Sequence, residues 1–502
     1  MYGGEEWNSH LLLRYGYTLD FFERFAPLRF HGVEIPLPLI RPYHQFIRHH
    51  VDRNMFKSAY LQKRNHLWGL RSMHDVQARL QRLPKPLYSL GSEQGRDTIL
   101  LCGNYADYAL KYLSSQKVIL LSHYLYERKS LKNKPMPKQF EVYALGEKLL
   151  FDDVPKRVRD KRKELFQTFE RLYHSSRNQT RRHDILTSPS FRRWMRVQIP
   201  LMTELIHALH ELIRTRPIKL IVEHTDLLPR QSILSLLARI HGLPFLLVQH
   251  HLSSDASMIP ARASHYAVWG KHMSNWMINR GVDPALITES GSVRLELSAK
   301  LVVRTRSDLF SQLGWQETVP VITYMTEQYG FGINAIVMDW LVQAVRQLPI
   351  LVLIKPHPDD TGAYDRFINE RIRMVPESFH LQEVLQASDL ILTISSTTGV
   401  EAAMLNRGVV VLQPDMPYDY HLNYNGYARH LAKAEAGAVV SSSSELTECL
   451  RRWLEEESFR SELQKKGGVF KDLTLNPDEP QPGFRVYQLI QQLLHSSGKE
   501  RS

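Results

Sequence analysis

Short apolar runs alternate with helical segments along most of this chain, and this alternation limits its fold more than any other feature. DTILLC, KVILLS, KLIVEH, PFLLVQ and SHYAVW form a first series of runs. VPVITYMTEQ, ILVLIK, LILTIS, VVVLQP and GAVV form a second. Helical stretches separate most of the runs, which is the pattern of parallel strands joined by crossover helices. We therefore predict an α/β fold with two doubly wound Rossmann-like domains facing a cleft.

Changes in composition and in the strand–helix pattern divide the chain into four segments. Residues 1–95 mix aromatic, basic and proline residues and form an N-terminal accessory segment, with an amphipathic helix expected near 8–17. Residues 96–300 form the first Rossmann-like domain, which carries a basic helical insertion at about 153–200. Residues 301–480 form the second Rossmann-like domain, and residues 481–502 form a final helix and tail.

Charge and cysteine content narrow the partners and the compartment. The chain has 64 Lys and Arg against 52 Asp and Glu, and its net charge of +12 suits phosphates, nucleotides, acidic polymers or lipid headgroups. Two cysteines, Cys102 and Cys449, are too few for a disulfide framework or a zinc site. Met1 is followed by acidic residues rather than a leader, and no apolar run approaches the ~20 residues that span a bilayer. We expect a cytoplasmic protein whose membrane contact, if any, is peripheral.

Polar side chains follow two strands of the second series, where parallel strands share one edge of a sheet. Their residues are Lys355, His357 and Pro358 after ILVLI, and Ser395, Ser396, Thr397, Thr398 and Glu401 after LILTI. Hydroxyls at a helix N-terminus, with a lysine and a histidine nearby, are typical of an anion site. Glu401 stands where a ribose or sugar hydroxyl would bind. The pattern predicts a pocket for a nucleotide monophosphate or diphosphate.

Each of these patterns also has a purely structural explanation. Taken alone, SSTT before a helix is a capping box, and Lys-Pro-His-Pro is a rigid turn. Asp359 and Asp360 fit solvated turn residues better than metal ligands. No Asp-x-Asp pair stands where it would hold a divalent cation against a diphosphate. We therefore expect no metal and no cofactor besides a nucleotide-activated substrate.

Several segments resemble one group of bacterial enzymes. KPHP and ASDLILTISSTTGVEAAMLNRGVVVL are similar to the paired HP and SS/ST segments of capsule polysaccharide glycosyltransferases, which are related to polysialyltransferases, Kdo transferases and CDP-glycerol glycerophosphotransferases. LPFLLVQHHLSS, ASHYAVWGKHMSNWMINRGVD and ALITESGSVRLE extend the likeness over residues 219–440. The resemblance implies the GT-B fold, with His357, Ser395, Ser396 and Thr397 holding the donor phosphate. His251 stands where these families usually carry glycine, which puts a tight turn there in doubt.

Group transfer needs a base for the acceptor hydroxyl and donors for the departing nucleotide phosphate. His250 is our candidate base because it follows a strand of the first domain and imidazole titrates near neutral pH. The alternatives stay open, and they are Glu223, His224, Asp226 and His251. Arg230 and Arg294 are second-rank contacts for the donor anion that could equally be surface charges.

Residues 155–196 combine many cations with interleaved aromatic side chains. They fit either solvated helices with a packed aromatic face or a surface that docks on an anionic membrane and brings a lipid-linked acceptor to the cleft. Nucleic acid is not expected, because the sequence carries no RNA- or DNA-binding signature.

The whole pattern predicts a glycosyltransferase of the GT-B type, cytoplasmic and peripheral on the inner face of the cell membrane. It would move a sugar or polyol phosphate from a nucleotide-activated donor in the second domain to a glycan or glycolipid acceptor in the first, in cell-surface polysaccharide synthesis. Two alternatives stay open. One is a nucleotide-sugar epimerase of the UDP-GlcNAc 2-epimerase type, and the other is a catalytically silent protein that binds a nucleotide or polymer.

Overall fold

Two parallel sheets form the framework of the protein, which we describe from a computed structural model. The structure describes residues 7–88, 95–132, 134–148, 155–177, 184–298, 304–315, 318–329, 331–416, 429–479 and 481–496. Short 3₁₀ turns occur at Leu37–Leu39, Gly103–Tyr105, Pro284–Leu286 and Asp365–Phe367.

The N-terminal segment is a helical layer packed on the first domain. It contains α1 (Ser9–Phe25), β1 (Arg29–Phe30), β2 (Val33–Glu34), α2 (Ile40–Asn54), α3 (Ser58–Trp68) and α4 (Met73–Leu80). Asn8 caps α1 by accepting the Leu11 N–H at 2.9 Å. Helix α1 is longer than the amphipathic helix expected near 8–17 and is buried on most of its surface. Aromatic side chains from later in the chain cover its second face.

The first sheet has seven parallel strands in the order β5-β4-β3-β6-β7-β8-β9. The strands are β3 (Thr98–Cys102), β4 (Lys117–Ser122), β5 (Phe140–Ala144), β6 (Ile218–Glu223), β7 (Phe245–Val248), β8 (His265–Val268) and β9 (Ile287–Glu289). The helices are α5 (Ala106–Tyr112), α6 (Leu125–Leu131), α7 (Leu145–Lys148), α8 (Lys156–Arg177), α9 (Pro189–Thr215), α10 (Pro229–His241), α11 (Asp255–Met258), α12 (Lys271–Ile278) and α13 (Val293–Ser298).

The second sheet has six parallel strands in the order β12-β11-β10-β13-β14-β15. The strands are β10 (Val321–Met325), β11 (Leu351–Lys355), β12 (Ile372–Met374), β13 (Leu390–Thr393), β14 (Gly408–Leu412) and β15 (Ala438–Val440). The helices are α14 (Arg306–Leu313), α15 (Phe331–Gln347), α16 (Leu381–Ala387), α17 (Thr398–Met404), α18 (His430–Lys433), α19 (Ser443–Glu455), α20 (Glu457–Thr474) and α21 (Pro482–Ser496).

These sheets confirm the predicted pair of doubly wound Rossmann-like domains. The central strands, such as TILLC and VITYM, are buried along their whole length because helices cover both faces of a parallel sheet. The sequence analysis missed the edge strands β5 and β12. FEVYA in β5 is only partly buried, and β12 has three residues, so neither shows the continuous apolar run of a central strand.

The basic insertion is part of the first domain rather than an appendage. The insertion was expected to end near residue 200, but helix α9 runs without a break across Pro200 to Thr215. Phe169 and Phe191 lie in the core against Phe25 of α1, with ring centroids 5.7 and 5.4 Å away. The aromatic residues of the insertion thus hold the N-terminal layer in place, while most of its cations remain at the surface. Arg181 and Arg182 lie outside the described residues.

The last two helices connect the domains. Helix α20 packs on the second sheet through Leu463 and Phe470, whereas α21 returns to the first sheet, where Val486 and Ile490 join its core. The Gly483 N–H at the start of α21 donates to a Glu296 carboxylate oxygen of α13 at 2.6 Å. None of the helices among the described residues has the length and apolarity needed to cross a membrane.

Buried histidines should make the fold sensitive to acid. His10 in α1 is 2% exposed, and burial, with help from Arg14 and Arg48, lowers its pKa to about 2. An unfolded histidine titrates near 6.5, so below that pH the unfolded chain binds a proton that folded His10 does not. Stability is therefore retained above pH 6.5 and lost as the pH falls. Between pH 7 and pH 5, His10 should cost the protein about 2 kcal/mol.

Urea unfolding at pH 7 and pH 5 measures this effect. His10→Asn should lose less stability on acidification than the wild type, whatever its stability at pH 7. His49 is exposed on α2, so His49→Asn should lose as much as the wild type. Equal acid sensitivity of His10→Asn and the wild type would contradict this assignment.

Candidate functional site

The carboxyl ends of both sheets border one cleft. An ion pair joins them: Arg294 Nη2 in α13, which follows β9, lies 2.9 Å from Glu401 Oε1 in α17, which follows β13. Each sheet reverses its strand order once, between β3 and β6 in the first and between β10 and β13 in the second. Ligands of doubly wound folds bind outside the carboxyl ends of the strands at such points.

Unused hydrogen-bonding atoms lie beside this ion pair. Arg294 Nε is buried and has no hydrogen-bond partner among the described residues. Thr398 Oγ1, one helical turn before Glu401, is also buried and without a partner in the described part of the chain. Glu401 is 2% exposed and both its oxygens are engaged, one by Arg294 and one by Gln382 Nε2. Two buried donor atoms next to the ion pair thus have no hydrogen-bond partner in the described part of the chain, and Glu401 links the two domains through Arg294.

The loop after β11 presents one imidazole N–H. The Asp359 N–H donates to His357 Nδ1 at 3.1 Å, so a neutral ring carries its proton on Nε2. The His357 N–H donates to Thr326 Oγ1 at 2.9 Å, and one third of the side chain is exposed. Asp360 ties the loop down by accepting from Thr326, Tyr364 and the Gly362 N–H. In the neutral His357 ring, Nε2–H is therefore the group that can donate a hydrogen bond to a ligand.

Asp360 therefore differs from the solvated turn residue expected from the sequence, because its carboxylate organises the loop. Lys355 is half-buried at the end of β11, and burial lowers the pKa of its ammonium group. Pro358 is exposed beside His357.

The SSTT segment divides into an inner and an outer part. Ser395 is fully buried; its Oγ lies 2.6 Å from Tyr329 Oη and its N–H donates to Glu327 Oε1 at 2.9 Å. Thr393 Oγ1 donates to the same oxygen at 2.9 Å, and burial raises the pKa of Glu327. Ser395 thus shapes the turn from beneath. Ser396 and Thr397 are half-buried and lie nearer to solvent.

His250 and His251 follow β7 on the first-domain side of the cleft. Burial first, then Arg294 and His251, lower the pKa of His250 to about 3. Burial, Arg294 and Arg41 lower the pKa of His251 to about 4. Both rings are therefore neutral near pH 7. His250 Nδ1 is buried without a hydrogen-bond partner among the described residues, and its ring lies edge-on to Tyr105 at 5.9 Å.

Glu223 and Arg230 belong to a buried charge network at the switch point of the first sheet. Arg230 is fully buried; its Nη1 donates to both oxygens of Glu127 at 2.6 and 2.7 Å, and its Nη2 donates to Glu223 Oε1 at 2.8 Å. Burial raises the pKa of Glu223 to about 7 despite Arg230. Arg230 is therefore a buried partner of carboxylates and not a surface charge. The guanidinium lies 5.0 Å from the Tyr124 ring centroid.

Asp226, the remaining candidate, is turned toward the protein interior. Its Oδ2 accepts the N–H groups of Arg262 and Ala263 at 2.6 and 3.1 Å, and burial raises its pKa to about 6. These contacts fix the loop before β8. The structure thus brings Arg294, Glu401 and Thr398 together, sets His357 on the loop after β11, and ties Asp226 to the backbone of Arg262 and Ala263.

Sequence reasoning missed Glu127 and Glu327. The sequence did contain an indication for Glu327. It follows the buried strand VITYM (β10), and a carboxylate just after a buried strand lies at the carboxyl edge of the sheet, where ligands bind. Glu127 had none, since it lies in the first turn of a short helix and meets Arg230 only through the fold.

Comparisons with known proteins agree with this architecture. Residues 323–492 match the family model of CDP-Glycerol:Poly(glycerophosphate) glycerophosphotransferase. No curated protein matches the chain. Among solved structures, S. aureus MnaA with UDP has a TM-score of 0.50 at 12% identity, and the match covers 79% of this chain and 96% of that one. This chain has the GT-B fold.

Two further solved structures are similar at lower scores. UDP-GlcNAc 2-epimerase from Neisseria meningitidis bound to UDP-GlcNAc has a TM-score of 0.49 at 11% identity, over 79% of this chain and 99% of that one. The calicheamicin glycosyltransferase CalG4 has a TM-score of 0.46 at 12% identity, over 82% of this chain and 100% of that one. The carboxyl-terminal third of our GT-B chain resembles the glycerophosphotransferases, in line with the likeness found in the sequence.

The buried charge network predicts that replacing its cation, Arg230, strongly lowers the free energy of unfolding. Arg230→Met would leave Glu127 and Glu223 buried without a positive partner, and we expect a loss of about 3–5 kcal/mol in the free energy of unfolding. The loss should shrink as the pH falls, because burial already raises the pKa of Glu223 above its unfolded value, and without Arg230 this carboxyl takes up a proton more readily. Urea unfolding at pH 8 and pH 5.5, with a chelator present, measures both effects.

Arg214 provides the matched control. It forms an exposed pair with Glu211 at 2.7 Å on the same domain. Arg214→Met should change stability little at either pH. If Arg230→Met were no more harmful than Arg214→Met, the network would not carry the charges assigned to it.

Proposed function

We propose that this protein is a GT-B transferase that moves a glycosyl or polyol-phosphate group from a nucleotide-activated donor to an acceptor hydroxyl. The observation that carries the proposal is the Arg294–Glu401 pair, which brings the carboxyl ends of both sheets to one cleft and leaves Arg294 Nε and Thr398 Oγ1 unpartnered there. Phosphate oxygens are the acceptors that such donors bind best. The glycerophosphotransferase match over residues 323–492 supports a nucleotide-activated donor in the second domain.

The donor binds the second domain in this proposal. His357 Nε2–H, the Lys355 ammonium and Arg294 supply donors to its phosphates, with Ser396 and Thr397 at the mouth of the turn. Lys355 and Arg294 are cations and His357 adds a neutral N–H donor, so we propose that donor binding uses no metal. Ser395 acts indirectly, by fixing the turn through Glu327 and Tyr329.

The acceptor binds the first domain, and His250 is the proposed general base. Its ring is neutral near pH 7 but a poor proton acceptor, because burial and Arg294 depress its pKa. A donor phosphate beside Arg294 offsets that positive charge and makes His250 more basic, so donor binding prepares the base. His250 then takes the acceptor proton, the acceptor oxygen bonds to the transferred group, and the nucleotide phosphate leaves with the electron pair.

The basic surface of residues 155–196 suits an acceptor held at an anionic membrane. Its aromatic residues are largely packed against α1, so docking would use lysine and arginine side chains without aromatic insertion. We propose a cytoplasmic enzyme, peripheral on the inner face of the membrane, that acts on a glycan or lipid-linked acceptor of a cell-surface polysaccharide.

Nucleotide binding tests the donor site. In a thermal-shift panel of CMP, CDP, UMP, UDP, GDP and dTDP, at least one nucleotide should raise the melting temperature of the wild type at micromolar to millimolar concentrations. His357→Ala should abolish most of that shift, because it removes the Nε2–H donor without touching the buried core. The base and the number of phosphates of the nucleotide that binds indicate the class of activated donor.

His495→Ala is the matched control, since His495 is exposed near the end of α21 and far along the chain from the cleft loops. It should retain the full shift. The proposal fails if no nucleotide stabilises the wild type, or if His357→Ala and His495→Ala respond alike. If the protein converted UDP-GlcNAc to its 2-epimer in the absence of an acceptor, the proposed activity would be epimerisation and not transfer.

A further inference from the structure

Three metal-ligating side chains meet at the switch point of the first sheet. Cys102 ends β3, Glu223 ends β6 and His224 follows it; the two strands are parallel neighbours. One ligand atom from each residue lies within 4.8 Å of the others, and all three residues are buried. None of them is needed for the donor contacts proposed above.

Two of the distances among these atoms are close to the edges of a tetrahedral site. Cys102 Sγ lies 3.5 Å from His224 Nδ1, and His224 Nδ1 lies 3.6 Å from Glu223 Oε2. A tetrahedral zinc ion with Zn–S near 2.3 Å and Zn–N or Zn–O near 2.0–2.1 Å sets its S···N edge at about 3.5 Å and its N···O edge at about 3.3 Å. Both distances therefore lie within about 0.3 Å of these edges, and the third pair of ligand atoms, from Cys102 and Glu223, lies within 4.8 Å.

Charge provides a second, independent indication. Glu127 and Glu223 are buried and share a single guanidinium, Arg230, so the cluster lacks one positive charge when both are ionised. Glu223 Oε1 takes the bond from Arg230, while Oε2 is buried and accepts no hydrogen bond from the described residues. A divalent cation with the Cys102 thiolate would make the cluster neutral and would occupy the unused Glu223 oxygen.

We propose that Cys102 Sγ, Glu223 Oε2 and His224 Nδ1 bind one Zn²⁺ ion, with water in the fourth position. Binding releases the Cys102 thiol proton to solvent, and the proton of Glu223 where that carboxyl is protonated. Arg230 forms the outer shell: it lies 3.8 Å from Cys102 Sγ and bonds to Glu223 Oε1 and to Glu127. The ion ties β3 to β6 beneath His250 and takes no part in holding the donor.

Cobalt substitution of the full chain tests the site. Protein stripped with a chelator and reduced should bind one equivalent of Co²⁺ and develop a sulfur-to-cobalt charge-transfer band, which Zn²⁺ should then remove. Cys102→Ser should lose the band. Cys449→Ser should keep it, because Cys449 is a buried cysteine in the core of the second domain and serves as the matched control.

X-ray absorption at the zinc edge keeps the proposal falsifiable if Cys102→Ser fails to fold. The wild type should show one sulfur at about 2.3 Å and nitrogen or oxygen ligands at about 2.0–2.1 Å. A wild type without stoichiometric metal, a bound metal without sulfur, or a band that survives in Cys102→Ser would overturn the site. These outcomes leave the nucleotide measurements untouched, so the two proposals fail separately.

Discussion

The ion pair between Arg294 and Glu401 is the interaction on which the cleft depends. Glu401 is almost completely buried, so its charge is tolerable only with a cation at hand. Burial first, and then the same guanidinium, lower the pKa of His250 and of His251 on the other side of the cleft. Arg294 therefore links the two domains, carries an N–H without a partner among the described residues, and adds to the effect of burial on the basicity of the proposed base.

The rest of the fold holds that arginine in place. Arg294 lies in α13, whose Glu296 accepts the Gly483 N–H at the start of α21. Because α20 packs on the second sheet and α21 on the first, the chain crosses between the domains next to the cleft. The N-terminal layer reinforces the first domain from outside: Gln77 of α4 exchanges hydrogen bonds of 2.9 and 2.7 Å with the backbone of Ala261, in the loop before β8.

The sequence was sufficient where burial alone decides the structure. Runs such as KVILLS and ILVLIK predicted the central strands, and their order predicted two parallel sheets, because a strand covered on both faces must be apolar throughout. The edge strands β5 and β12 were not predicted, because an edge strand needs no continuous apolar run. The full length of helix α9 was not predicted, because the change from basic to apolar composition near residue 200 suggested the end of the insertion, whereas the helix continues and packs against α1.

The sequence indicated positions at the candidate site but not the contacts made there. Strand ends pointed to His250 and His357, whereas Arg294 was one of two second-rank arginines, and its contact with Glu401 joins residues far apart in sequence. The sequence left Arg230 open between a contact for the donor anion and a surface charge, whereas the fold pairs it with Glu127 and Glu223. The proposed set of Cys102, Glu223 and His224 combines three residue types from two strand ends, and such a mixed set leaves no cysteine spacing pattern in the sequence.

A crystal structure with the nucleotide that stabilises the protein tests the central claim most directly. We predict that its phosphate lies in the cleft, within hydrogen-bonding distance, about 3 Å, of His357 Nε2 and of Arg294. A nucleotide bound on an outer face of either sheet, or in the cleft with its phosphates turned away from both side chains, would contradict the account.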